Sequence, residues 1–241
     1  RWQNPASALV CAVSTIALLG ATMSIAPSVT VPTQDITESL NVPPGFDIEA
    51  YLPEGSYRPT AIAVDSQGRL YMGNFEGVVS IVDDLDGDGA GDEVRTFIQK
   101  GSPALGLAIS PDDKTVYIAG GGKVLMVTDE DHDGVPDSEK VIIDDLPSFT
   151  YDAHSNNGIT IGPDGKLYMT LGGTSDHGPE NHPLAGAVLT ANNDGSGLRV
   201  YAPGLRNSYD LAFDSKGTLI ATDNQPDVLD TDLTWEPPEE L

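Results

Sequence analysis

The sequence predicts an all-β fold, a β-propeller of repeated antiparallel units, and three observations predict it. Four stretches superpose: AIAVDSQGRLYMGN at 61–74, GLAISPDDKTVYIAG at 106–120, GITIGPDGKLYMTLG at 158–172 and DLAFDSKGTLIATDN at 210–224. Their starts lie 45, 52 and 52 residues apart, in the range that signals blades or solenoid units. Between them run further alternating stretches, GVVSIVDD (77–84), KVLMVTDE (123–130) and AGAVLTAN (185–192), so each unit offers about four strands, the content of a propeller blade.

Within each copy the elements follow one order. A first strand alternates apolar and polar residues and ends in Val64, Ile109, Ile161 or Phe213. A turn follows, Asp65–Gly68, Pro111–Asp113, Pro163–Gly165 or Asp214–Gly217, rich in the residues that close hairpins. A second strand begins at Leu70, Val116, Leu167 or Leu219. Period two marks half-buried strands, and no long helical periodicity appears after residue 26. A β-sandwich gives no reason for one hairpin to recur four times, and a β-helix requires a shorter repeat. The fourth unit is incomplete at Leu241, and an open propeller leaves unpaired edges, so the chain reads as C-terminally truncated.

The N-terminus is a different material. From Trp2 to Gln34 no residue is charged, and Ala8 to Ala26 is an apolar run near the length of a spanning helix. Residues 1–26 are expected to form a hydrophobic helix serving as signal peptide or membrane anchor. Residues 27–44, rich in Pro, Ser and Thr, are a linker, and 45–241 the partial propeller domain. The rest of the chain is then exported, periplasmic or extracellular, with a tether through 8–26 if the leader stays. The single cysteine, Cys11, lies in the leader, so the exported part has no disulfide.

The formal net charge is −25. Such a surface repels phosphate, which argues against nucleic acid and anionic membrane surfaces as partners. Divalent cations suit so much carboxylate. Two loops concentrate it: Asp84, Asp86, Asp88 and Asp92 in DLDGDGAGDE, and Asp129, Asp131, Asp133 and Asp137 in DEDHDGVPDSE. Carboxylates at alternate positions, followed by a glycine turn, let a short loop wrap a cation that takes six to eight oxygens. The flanking helices and twelfth-position Glu of an EF-hand are missing. The expected metal is a structural calcium, against the plainer reading of two solvated acidic turns.

His154, in YDAHSNNG, stands immediately before an inner-strand hairpin. The equivalent place in the next unit holds Arg206 and Asn207, and the matching exit is TDNQPD, with Asp223, Asn224, Gln225 and Pro226. In a propeller these ends converge on the axis. An imidazole there can take a proton at neutral pH, and a guanidinium can hold an anionic oxygen. His132 sits in an acidic loop and reads as solvated, while His177 and His182 lie in a long connection with weaker claims to a role.

The order PPGFDIEAYLPEG, RPTAIAVDSQGRLYMGN, HSNNGITIGPDGKLYMTLGG and GLRNSYDLAFDSKGTLIATDNQPD resembles the soluble quinoprotein glucose/sorbosone dehydrogenases from about Val42 onward. The resemblance implies six blades, about four of them present, and oxidation of a sugar with pyrroloquinoline quinone (PQQ) and calcium. It implies that His154 is the general base for the sugar hydroxyl proton as hydride passes to the quinone. It implies that Arg206 and Asn207, with Asn157 beside them, contact the cofactor, and that backbone carbonyls of Gln225 and Pro226 hold the active-site calcium. The family commonly has Gly where Gln225 stands. An external electron acceptor would complete the cycle. Two other readings stay open: a metal-dependent lactonase, with Asn157 and Asp210 as ligands, and a non-catalytic calcium-stabilised propeller that binds a partner.

Overall fold

In the computed structural model the described residues are 41–46, 48–52, 57–149, 154–175 and 179–224. The chain divides into two compact units, Arg1–Asn41 and Val42–Leu241. The leader helix expected in residues 1–26 and most of the expected linker lie outside the described residues, as do His177, Gln225 and Pro226. Among the described residues there is no helix, and none therefore long and apolar enough to cross a membrane.

Among the described residues fourteen strands form four antiparallel sheets. The first holds β1 (Pro59–Val64), β2 (Leu70–Asn74), β3 (Val78–Asp83) and β4 (Glu93–Gln99). The second holds β5 (Gly106–Ile109), β6 (Thr115–Gly120), β7 (Lys123–Thr128) and β8 (Ser138–Ile143). The third holds β9 (Asn156–Ile161), β10 (Leu167–Leu171), β11 (Ala187–Ala191) and β12 (Arg199–Pro203). The fourth pairs β13 (Leu211–Phe213) with β14 (Leu219–Ala221). Strand order follows chain order in every sheet, so each is a meander.

The sheets meet through their first strands: β1 packs on β5, β5 on β9 and β9 on β13. Tyr209, just before β13, donates its hydroxyl to the Thr60 carbonyl of β1 at 3.0 Å, so the first and fourth sheets also touch at this inner edge. This is the blade arrangement the repeat predicts.

Each core is the seam between two neighbouring sheets. Tyr71, Ile81 and Phe97 of the first sheet pack with Leu107, Val116 and Val127 of the second. Tyr117, Ala119 and Val124 of the second pack with Ile159, Leu167, Met169 and Leu189 of the third. Tyr168 and Val188 of the third pack with Leu211, Phe213 and Leu219 of the fourth. The third sheet is therefore covered on both faces, and every residue of β10 and β11 is buried. The half-buried alternation expected from the sequence holds instead on the outermost β12. Along β10 alternation decides which seam a side chain enters: Leu167, Met169 and Leu171 point to the second sheet, Tyr168 to the fourth.

Two glycines let the inner strands close up. A Cβ on Gly106 of β5 would lie 2.3 Å from the Asn157 carbonyl oxygen and 2.9 Å from the Ile159 nitrogen of β9. One on Gly158 would lie 2.7 Å from the Asp210 Cα, where the Gly158 N–H donates to the Tyr209 carbonyl at 2.8 Å. These are superposed positions of successive repeats, so close backbone approach recurs at the inner edge.

Aspartates close the hairpin turns by accepting backbone N–H groups. Asp214 takes those of Lys216 and Thr218, each at 2.8 Å. Asp194 takes the hydroxyl and N–H of Ser196. Asp113 takes the hydroxyl and N–H of Ser66, tying the turn of the second sheet to that of the first. All three carboxyls are held below the usual carboxylate range, by the Thr218 N–H for Asp214, the Ser196 hydroxyl for Asp194 and the Ser66 hydroxyl for Asp113. A folded-state pKa below the unfolded value stabilises above the unfolded pKa of about 3.9 and is lost as pH falls through the folded value. Urea-unfolding free energy is therefore expected to fall as pH is lowered below about 4. The fall should be shallower in Asp214→Asn, which no longer titrates there; identical acid profiles would refute the assignment.

Candidate functional site

The segment from His154 to Asn157, which leads into and opens β9, is held from both sides. Ser155 Oγ accepts the Gly121 N–H at 3.1 Å and shares a 2.7 Å hydrogen bond with Ser148 Oγ. Asn156 Oδ1 accepts the Gly122 N–H at 2.8 Å, and its Nδ2 donates to the Lys123 carbonyl at 2.6 Å. These two side chains fasten the segment to the second sheet. Asn157 faces the other way, its Nδ2 donating to Asn207 Oδ1 at 3.1 Å and the Ser208 carbonyl at 3.0 Å, ahead of the fourth sheet. Ser155, Asn156 and Asn157 are all buried, so these bonds are made where water does not compete.

His154 is fixed by this frame. It is 4% exposed, and its Nδ1 lies 2.8 Å from the Gly173 carbonyl oxygen. A carbonyl only accepts, so Nδ1 carries a proton, and in the neutral ring Nε2 keeps the lone pair. Gly173 also donates its N–H to the Arg206 carbonyl at 2.7 Å. One residue at the end of β10 thus joins the histidine to the arginine of the following sheet. Gly172 beside it lets the segments pack closely: a Cβ there would lie 2.7 Å from Asn207 Oδ1 and 3.0 Å from His154 Cβ.

Arg206 and Asn207 are set by Asp223, a buried carboxylate after β14. Its Oδ1 accepts both backbone N–H groups, at 3.1 and 3.0 Å, and its Oδ2 accepts that of Arg206 at 3.0 Å. The Arg206 guanidinium, part-exposed, reaches the Asn224 carbonyl at 3.4 Å. With Asn207 Oδ1 taken by Asn157, the Asn207 Nδ2 has no partner among the described residues. The cluster therefore offers an imidazole, a guanidinium and a primary amide. Such a set suits an oxidised, oxygen-rich ligand with anionic oxygens.

The structure brings His154, Asn157, Arg206 and Asn207 together. Asp210 is exposed, with Oδ1 accepting the Leu211 N–H at 2.8 Å, and His182 bonds locally to the Leu184 N–H. Sequence reasoning passed over Gly172 and Gly173, whose signal was the paired glycine closing β10, and Glu180. Glu180 Oε2 accepts the Thr174 N–H at 2.7 Å and braces the chain just past Gly173. A cavity of about 470 Å³ opens at the other end of the inner strands, between Leu107, Ile159, Ile161 and Phe213, away from His154.

The two acidic loops sit away from this cluster, in the hairpins between β3 and β4 and between β7 and β8. Carboxylates of Asp84, Asp86 and Asp88 lie within 4.8 Å of one another, and so do those of Asp129, Asp131 and Asp137. Asp92 and Asp133 stand outside these groups and accept the N–H groups of Leu85 and Val135.

Four meander sheets joined at their first strands, with one polar cluster where those strands begin, define an all-β protein of the propeller type. The chain belongs to the family described as a domain of unknown function, DUF7133, whose model matches residues 32–236. No curated protein matches it. It is similar to a Thermus thermophilus oxidoreductase assigned as a glucose dehydrogenase, at 25% identity and a TM-score of 0.58 over 72% of this chain and 59% of that one. It is similar to the PQQ-bound aldose sugar dehydrogenase of Streptomyces coelicolor, at 23% and 0.60 over 72% and 58%. The PQQ domain of Coprinopsis cinerea pyranose dehydrogenase aligns at 14% and 0.63 over 77% and 48%. The chain thus spans about half to three-fifths of the length of these proteins.

Proposed function

We propose that this chain carries the base and part of the cofactor site of an exported, PQQ- and calcium-dependent sugar dehydrogenase, a propeller of six blades of which about four are present here. The observation that carries the reading is the double contact of Gly173: its carbonyl meets His154 Nδ1 at 2.8 Å, which leaves Nε2 of the neutral ring as the acceptor, and its N–H donates to the Arg206 carbonyl at 2.7 Å. The likeness in fold to sugar dehydrogenases supports it.

The donor chemistry fits the cofactor: a guanidinium at Arg206 and a primary amide at Asn207 suit its anionic oxygens. Arg206 and Asn207 would hold PQQ, Asn157 would position Asn207, and Gln225 and Pro226 would supply calcium ligands. When bound, PQQ supplies the acceptor for two electrons as hydride. His154 takes the sugar hydroxyl proton at Nε2, and the Gly173 carbonyl steadies the imidazolium that results. Burial and the Gly173 hydrogen bond hold the ring in place. The apolar run at 8–26 would direct export, and an external acceptor would reoxidise the cofactor.

The test is reconstitution with PQQ and calcium, followed by dye reduction with a panel of aldoses. Dye reduction that needs both quinone and sugar supports the reading. Lactone hydrolysis without quinone would replace it with a metal-dependent lactonase. No activity of either kind, with a melting temperature raised by calcium, would leave a non-catalytic binding propeller.

A further inference from the structure

The two acidic loops share a sequence pattern and an internal wiring, yet they stand in different surroundings. In the first, Asp84 accepts the N–H groups of Gly87 and Gly89, all three clustered aspartates are exposed, and a Cβ on Gly89 would meet nothing within 4 Å. In the second, Asp129 is 3% exposed. Its Oδ2 accepts the Gly134 N–H at 2.9 Å, and its Oδ1 is buried without a partner. A buried carboxylate oxygen with nothing to accept from is costly unless a cation or water meets it.

The second loop is also docked on the first sheet. Arg95 of β4 donates Nη1 to the Gly134 carbonyl at 3.0 Å, held in place by Nε on Asp83 at 2.6 Å. Arg69, after the first hairpin turn, donates Nη1 to the His132 carbonyl at 3.1 Å. Gly134 has φ of +78°, a conformation that favours glycine, and a Cβ there would displace the Arg95 guanidinium from its seat. Both arginines take carbonyls. Asp129, Asp131 and Asp137 keep their carboxylates within 4.8 Å of one another, with His132 outside the group. Three close carboxylates repel, and a hard cation with oxygen ligands turns that repulsion into attraction.

We propose that the loop 129–137 binds a calcium ion through Asp129, Asp131 and Asp137, and that this ion staples the second sheet to the first. The ion shapes the loop, and the shaped loop presents the His132 and Gly134 carbonyls to Arg69 and Arg95. The rival occupant is a water molecule between Asp129 Oδ1 and the Arg69 Nη2, which is likewise buried without a partner.

The experiment needs neither quinone nor sugar, so its failure is separate from failure of the dehydrogenase reading. Calcium is titrated into the chelator-treated chain by calorimetry, and melting is followed with chelator and with calcium. A melting rise of about 5 °C or more is expected at a hundredfold excess over Kd. Asp129→Asn and Asp131→Ala should each weaken this site by about tenfold or more, since each removes a charged ligand. Asp131 is exposed, so its variant tests the site without disturbing the core. Asp84→Asn, in the other loop, should leave it unchanged. Arg95→Ala removes the docking but no carboxylate, and should weaken calcium severalfold. Equal melting with chelator and calcium, or variants indistinguishable from the parent, would hand Asp129 Oδ1 to water. Parental calcium affinity in Arg95→Ala would end the staple.

Discussion

Replacing His154 with alanine is expected to lower dye-linked sugar oxidation by about 10²- to 10⁴-fold, the range a positioned general base contributes. The ring has one free nitrogen, because the Gly173 carbonyl holds the Nδ1 proton. Among the described residues none beside it takes its place: Asn157 and Asn207 are amides engaged with each other, and Asp223 is spent on the backbone of Arg206 and Asn207. Quinone binding, read by absorbance of the reconstituted protein, should persist, since the donors proposed to hold it lie on the next sheet. The variant leaves the Gly173 carbonyl without its donor, a cost of about 1–3 kcal/mol that melting would reveal. A folded variant that binds quinone and turns over at the parental rate would remove His154 from the chemistry.

Gly106→Ala is expected to destabilise the domain by about 3 kcal/mol, the upper part of the range for overpacking. All three atoms nearest to a Cβ at this position are backbone atoms of Asn157 and Ile159, the closest at 2.3 Å, and no rotamer change can clear them. The strands β5 and β9 must move apart, which opens the seam holding Ile159 and shifts the segment that carries His154. The superposed residue in the first repeat is Ala61, so Ala61→Gly serves as the control, with a cost of about 1 kcal/mol or less from backbone freedom. Urea unfolding of both variants measures this. Equal stabilities would mean that the inner strands do not approach as closely as described.

The hairpins were legible in the sequence because their causes are local. Asp214 and Asp194 close turns with N–H groups two residues on, and period-two alternation sets which way Leu167 and Tyr168 point. That β10 and β11 are buried on both faces was not legible, because alternation reports one covered face and a neighbouring sheet supplies the other. The site divides in the same way. His154, Arg206 and Asn207 stood out as superposed ends of successive repeats, and the fold brings them around Gly172 and Gly173. The roles of these glycines were hidden, since each is seen only when β10 returns beside His154.

By itself the sequence determined the repeat, its turns, the residues at the inner-strand starts and two acidic loops of one pattern. Only the tertiary structure decided which nitrogen of His154 holds the proton, and which of the two loops is docked and keeps a buried, unmatched oxygen. The reason is range: turns and strand faces are set by residues a few positions apart. The Gly173 carbonyl lies 19 residues from His154, Arg95 lies 39 from Gly134 and Arg69 lies 63 from His132, and those partners meet only once the sheets pack.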